Sequence, residues 1–186
     1  LPCQRADRWS KVRTRRYLAA RGKRWIGMGK MEGRVAIVTG SSRGLGSAIA
    51  REYAREGASV VVSARPQSPT GLSGTIHETA DAIRDEGGEV FAVPCDVTVE
   101  EQVIDMVRQV MERYGRIDVL VNNAGIMVLG ESFLEIEPAR WHQSMAVNVN
   151  GPYLVCRHVV PVMIEQRRGS IINIGSRMGS ENIPGG

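Results

Sequence analysis

The segment Thr39-Gly-Ser-Ser-Arg-Gly-Leu-Gly46 carries three glycines in the spacing G-x-x-x-G-x-G. It follows a short apolar, β-branched run and opens a stretch of helical composition. A glycine-rich turn between strand and helix leaves backbone N–H groups free at the positive end of the helix, where a dinucleotide pyrophosphate binds. Gly40 permits the tight turn, Gly44 lets the backbone approach phosphate oxygens, and Gly46 lets helix and strand pack closely. Ser42, Arg43 and Leu45 complete the loop as candidate contacts. The spacing differs from the G-x-G-x-x-G of other dinucleotide binders. By itself such a loop is a weak signal, and its context has to carry the reading. Metal chemistry is not expected, because His77, His142 and His158 show no ligand spacing. Cys3, Cys95 and Cys156 are odd in number, far apart and without Cys-x-x-Cys spacing, so neither a disulfide scaffold nor a zinc site is expected and a reducing cytosol is the default.

The elements that must position the loop alternate along the chain. Val35–Thr39 reads as a buried strand and Ser47–Glu56 as a helix ended by Gly57. Ala58–Ser63 reads as a second strand, Gln67–Gly74 as a Pro/Gly/Ser loop and Thr75–Glu86 as a helix. Val90–Val93 is a third strand, followed by a helix over Val99–Tyr114 with Thr98 as its N-cap and Gly115 as its stop. Ile117–Val121 and Ser170–Ile174 are the fourth and fifth strands. Between them Pro138–Glu165 is mostly helical, started or bent at Pro152 and Pro161. Strands alternating with helices of this length imply an α/β fold, a doubly wound parallel sheet of Rossmann type.

Charge divides the chain at about residue 30. Residues 1–30 hold ten Lys or Arg and one acid, Asp7, which leaves 14 basic and 19 acidic residues in 31–186. The body is therefore mildly acidic although the whole chain carries a net +4, and nucleic-acid binding by the body is not expected. No apolar run reaches membrane-helix length. The leader lacks the apolar segment of a secretory signal. Residues 1–30 read as a leader that is disordered or upstream of the natural protein, with organellar targeting or a basic binding arm as the alternatives. The domain is expected over 31–186 and a cytoplasmic location follows from the cysteine usage.

The loop, together with Asn122-Asn-Ala-Gly125 ending the fourth strand, Asp96 after the third, Asn148 in Asn-Val-Asn-Gly and Ser176 past the fifth strand, resembles the short-chain dehydrogenase/reductase family. The resemblance covers about residues 33–186 and is similar to the acyl-carrier-protein ketoreductase and hydroxysteroid dehydrogenase-like branches. It implies that Asp96 accepts a hydrogen bond from the adenine amino group, with Val97 near the ring. Asn123, Ala124 and Gly125 would line the cofactor's ribose side and tie the fourth strand to its neighbours. Asn148 would hold a break in the long helix and position a water for proton relay. Ser176 would hydrogen-bond the substrate carbonyl or hydroxyl, and the helix containing Tyr153–Ile164 would pair two copies in a homo-oligomer.

An NAD site places an acid at the end of the second strand, whereas an NADP site offers arginine there. No acid occurs from Gly57 to His77, and the strand runs into Arg65 with Arg43 in the loop nearby. These residues point to NADP(H). The family's general acid/base is the tyrosine of Tyr-x-x-x-Lys. Tyr17, Tyr53, Tyr114 and Tyr153 have no Lys four residues on, and no Lys follows Lys30. That motif is expected about a dozen residues past Ser176, so the sequence reads as the front of a longer enzyme, its sheet incomplete on the C-terminal side. Residues 1–186 alone are expected to be inactive on ketones. The leading function is an NADP(H)-dependent oxidoreductase acting on a small carbonyl or alcohol substrate. A dinucleotide-binding or regulatory module without chemistry is the alternative, and fold alone does not separate the two.

Overall fold

Five strands, β1 (Val35–Thr39), β2 (Ser59–Ala64), β3 (Glu89–Pro94), β4 (Val119–Asn122) and β5 (Ser170–Asn173), form one parallel sheet in the order β3-β2-β1-β4-β5. The computed structural model describes residues 29–65, 74–127 and 133–176. The leader's first 28 residues lie outside that range, as does most of the expected Pro/Gly/Ser loop. The helices are α1 (Gly44–Arg55), α2 (Ile76–Asp85), α3 (Glu100–Tyr114), α4 (Pro138–Met145) and α5 (Gly151–Glu165). A π-helical turn, Ala146–Asn150, joins α4 to α5.

Alternate strand residues serve two cores. Ala36, Val38, Val60, Val62, Val119 and Val121 pack on one face with Ala50 and Ala54 of α1 and Ile83 of α2. Ile37, Val61 and Leu120 pack on the other with Met106 and Val110 of α3 and Val155, Val159 and Met163 of α5. Burial on both faces is why β1, β2 and β4 read as continuous apolar runs. No described helix is long and apolar enough to cross a membrane.

Helix ends follow local hydrogen bonding. Thr75 and Glu78 form a reciprocal capping box on α2, with Glu78 N–H donating to Thr75 Oγ1 at 3.1 Å and Thr75 N–H to Glu78 Oε2 at 2.9 Å. The expected Thr98 cap of α3 is not what forms. Val99 takes the N-cap position without a side-chain bond, while Thr98 donates from N and Oγ1 to Asp96 Oδ1 at 2.9 and 2.7 Å. Asp96 thus closes a local turn and captures the residue that would otherwise cap. Gly115 ends α3 at φ +68°.

One buried charge holds the sheet together at its amino-terminal end. Asp118 accepts from Val35 N–H at 3.0 Å and from Arg116 Nε and Nη2 at 2.7 and 2.6 Å, with Arg168 Nε 3.4 Å away. Its main chain also bonds Val35 O and Ser170 N–H, so it joins β1, β4 and β5. Burial opposes its ionisation, but the Arg116 bonds, the Val35 N–H and the charges of Arg116 and Arg168 outweigh this and hold the carboxyl below its ordinary range.

Candidate functional site

Strand order reverses between β1 and β4, and in such sheets a crevice opens at the carboxyl ends of the strands. The glycine loop sits there. Gly40 has φ +65°, and a Cβ on it would lie 2.7 Å from Ala124 Cα. A Cβ on Gly46 would lie 2.4 Å from both Gly40 O and Asn123 Nδ2. These two positions let β1, α1 and the end of β4 close on one another. Gly44 differs: it adopts φ +57° with nothing within 4 Å of its would-be side chain. α1 begins at this open point with no side-chain cap and no acid in its first turn. Its first N–H groups therefore remain available to an anion.

Thr39, which sequence reading passed over as a strand residue, organises the floor. Its Oγ1 donates to Val121 O at 3.3 Å and accepts from the N–H groups of Asn123 and Ala124 at 3.1 Å each. Asn123 Nδ2 donates back to Thr39 O and Gly40 O at 2.9 and 3.1 Å. The side of the loop is held by Thr79 of α2, whose Oγ1 donates to Ser47 Oγ at 2.9 Å and approaches Ser42 O at 3.4 Å. The glycine spacing assigns Thr39 no role although it opens the segment, and nothing in the sequence marks Ser47 or Thr79; the fold brings them together.

The structure gathers Gly40, Ser42, Arg43, Leu45, Gly46, Arg65, Asp96, Val97, Asn123, Ala124 and Gly125 around one cleft. Gly44, between the lining residues Arg43 and Leu45, is not itself part of the lining. Cys95, Ile126 and Val147 add to the wall. Burial foremost, with Asp96 and Asp105 nearby, pushes the Cys95 thiol up to about 12, so it stays protonated and is no nucleophile. Gly151 backs the wall, since a Cβ there would lie 2.7 Å from Val97 Cγ2.

Asn148 lies in a neighbouring groove that shares Asn123, Ala124 and Gly125 with the cleft. It stands at the centre of the π-helical turn, where its Oδ1 accepts from Ile126 N–H and its Nδ2 donates to Ile126 O, both at 2.9 Å. Nδ2 also donates to Ser144 Oγ at 3.1 Å. π turns recur at functional sites because they re-aim a residue without ending the helix. Ser176 is exposed beyond β5 and lines neither the cleft nor the groove. Among the described residues no group of three His, Cys, Asp or Glu is placed to hold a metal ion.

Comparison with known proteins agrees with this architecture. The oxidoreductase YxjF of Bacillus subtilis, described as uncharacterized, is 41% identical over 156 residues, covering 83% of this chain and 58% of its own length. The 3-oxoacyl-[acyl-carrier-protein] reductase FabG of Thermotoga maritima is 37% identical over 158 residues, covering 84% and 61%. A metagenomic short-chain oxidoreductase solved in complex with NADP superposes with a TM-score of 0.73 at 38% identity, covering 82% of this chain and 66% of that one. The chain thus spans about three fifths of the length of these two curated relatives. Residues 34–186 match the family described as short chain dehydrogenase, and with relatives, fold and cleft in agreement, the chain belongs to that oxidoreductase family.

Proposed function

We propose that this chain binds NADP(H) for an oxidoreductase that interconverts a ketone or aldehyde and an alcohol by hydride transfer. The observation that carries the reading is the cleft at the strand carboxyl ends that joins the glycine loop, Arg65 and Asp96. The cleft fits a dinucleotide: uncapped helical N–H groups and the open space at Gly44 suit a pyrophosphate. The NADP complex of a 38% identical neighbour supports the same cofactor. Bound NADP(H) supplies the hydride acceptor or donor.

In this reading the loop N–H groups hold the pyrophosphate, and Arg43 and Arg65 bind the ribose 2′-phosphate. Asp96 uses Oδ1 for its own turn, and Oδ2 accepts from the adenine amino group beside Val97. Asn123, Ala124 and Gly125 flank the second ribose. Asn148 clamps the Ile126 backbone and orients a water for proton relay, while Ser176 hydrogen-bonds the substrate oxygen. The working domain begins at about residue 31. Pairing of two copies through α5, where Tyr153 and Ile164 are exposed, belongs to the same proposal.

The test is the dissociation constant of the full-length protein for NADPH and for NADH. A charged hydrogen bond contributes ~1.5–3 kcal/mol, so NADPH is expected to bind at least about tenfold more tightly. Arg65→Asp is expected to weaken NADPH and spare NADH. Equal constants for the unmutated protein would refute the cofactor assignment.

A further inference from the structure

Ser41 lies inside the glycine loop, is fully buried and does not line the cleft. Its hydroxyl donates to Val38 O at 2.8 Å and accepts from Ser63 N–H at 2.8 Å. Its own N–H donates to Ser63 O at 3.1 Å. The β1–β2 pairing reaches its last β1 residue at Thr39 opposite Ser63. Ser41 therefore folds back over that terminal pair and clamps the start of the loop to the end of β2.

The placement is symmetrical along the two segments. Arg43 follows Ser41 by two residues, and Arg65 follows Ser63 by two residues. Each arginine thus extends from one side of the same buried clamp. The far side of the loop is closed by α2 and the residues before it. Thr79 Oγ1 reaches Ser42 O, and a Cβ on Gly74 would lie 2.8 Å from both Arg43 Cβ and Ser42 O. The loop backbone is held between β2 and α2, which leaves little freedom in how far apart the two arginine anchors stand.

We infer that Ser41 is a positioning residue for cofactor selection: its hydroxyl fixes the separation of Arg43 and Arg65 so that both guanidiniums address one phosphate. The inference rests on the NADP(H) reading above. Without the hydroxyl, Ser63 N–H loses its bond to Ser41 Oγ in a buried place, and the loop is held to β2 by the Ser41 N–H to Ser63 O bond with more freedom to shift. The pyrophosphate contacts come from the loop alone and move with it. The phosphate contacts of the two arginines depend on the loop and β2 together, and shared geometry of this kind is lost with shifts of about 1 Å.

The experiment is a double-mutant cycle on the full-length protein, measuring Kd for NADPH and NADH in the unmutated protein, Ser41→Ala, Arg65→Gln and the double variant. Ser41→Ala is expected to raise the NADPH constant about tenfold, the size of one lost charged hydrogen bond, and to change NADH little. In the Arg65→Gln background the same substitution is expected to add no further selective loss, because residues acting through one another are not additive. Equal weakening of both cofactors, or effects that multiply, would overturn the role of Ser41 and leave the NADP(H) assignment standing. An unmutated protein without NADPH preference would overturn the assignment itself, and this role with it. Thermal unfolding checks that Ser41→Ala folds; if it does not, Ser41→Cys fills the site with a weaker hydrogen-bonding group and is expected to show a smaller loss of the same selective kind.

Discussion

Replacing Asp118 by Asn tests how far one carboxylate secures the sheet. The substitution keeps the shape but removes the charge that faces Arg116 and Arg168. The amide can still accept from Val35 N–H through one oxygen, and its NH2 then points donors at the Arg116 guanidinium. A hydrogen bond to a charged group contributes ~1.5–3 kcal/mol, and Arg116, whose side chain is 40% exposed, recovers part of the loss from water. A net destabilisation of about 2–3 kcal/mol follows, equivalent to a fall in Tm of roughly 5–10 °C for a domain of this size. The dependence on pH gives a second check. A carboxyl held below its ordinary value near about 3.9 stabilises the fold above that value, and the stabilisation is lost as pH falls through the folded value. The Tm gap between the unmutated protein and Asp118→Asn is therefore expected to be full at about pH 5–7 and to narrow below about pH 4. Thermal unfolding of the full-length protein across that range measures it. A gap that stays constant into acid, or that is already absent at neutral pH, would refute the argument.

Two further substitutions probe the cleft. Gly46→Ala brings a Cβ within 2.4 Å of Gly40 O and Asn123 Nδ2, so a loss of ~1–3 kcal/mol in stability and a weakened affinity for NADPH are expected, read by unfolding and by titration. Ser63→Ala removes a buried hydroxyl that has no hydrogen-bond partner, and Tm is expected to hold or rise because no bond is lost and a desolvated polar group is relieved.

The glycine loop, the strand–helix alternation and the buried β1 were legible because each has a local signature: backbone freedom, side-chain periodicity, unbroken apolar runs. What escaped depended on distant partners. Ile117 reads as strand, yet its backbone is satisfied by the Gln166 side chain at 2.9 and 2.7 Å, and β4 starts only at Val119. Thr98 has the chemistry of a cap, but Asp96 claims it first. Thr39 and Ser41 look like ordinary residues at a strand end, and their hydroxyls acquire meaning only when β4 and β2 arrive beside them. The break at Asn148 came only from the family resemblance, and its form had no signal, because α4 buries no residue against which a shift of phase could be read.

The extra residue of the π turn sets the phase of everything after it. Each residue of an α-helix advances the side chains by about 100°. Val147, Gly151, Val155, Val159 and Met163 are the buried positions from the π turn through α5. Were the same residues wound as regular α-helix, α5 would rotate by about one such step relative to α4, and Asn150 would take the place of Gly151. There any side chain begins 2.7 Å from Val97. The wide turn thus works as an indexing gear: it delivers the one residue without a side chain to the back wall of the cleft.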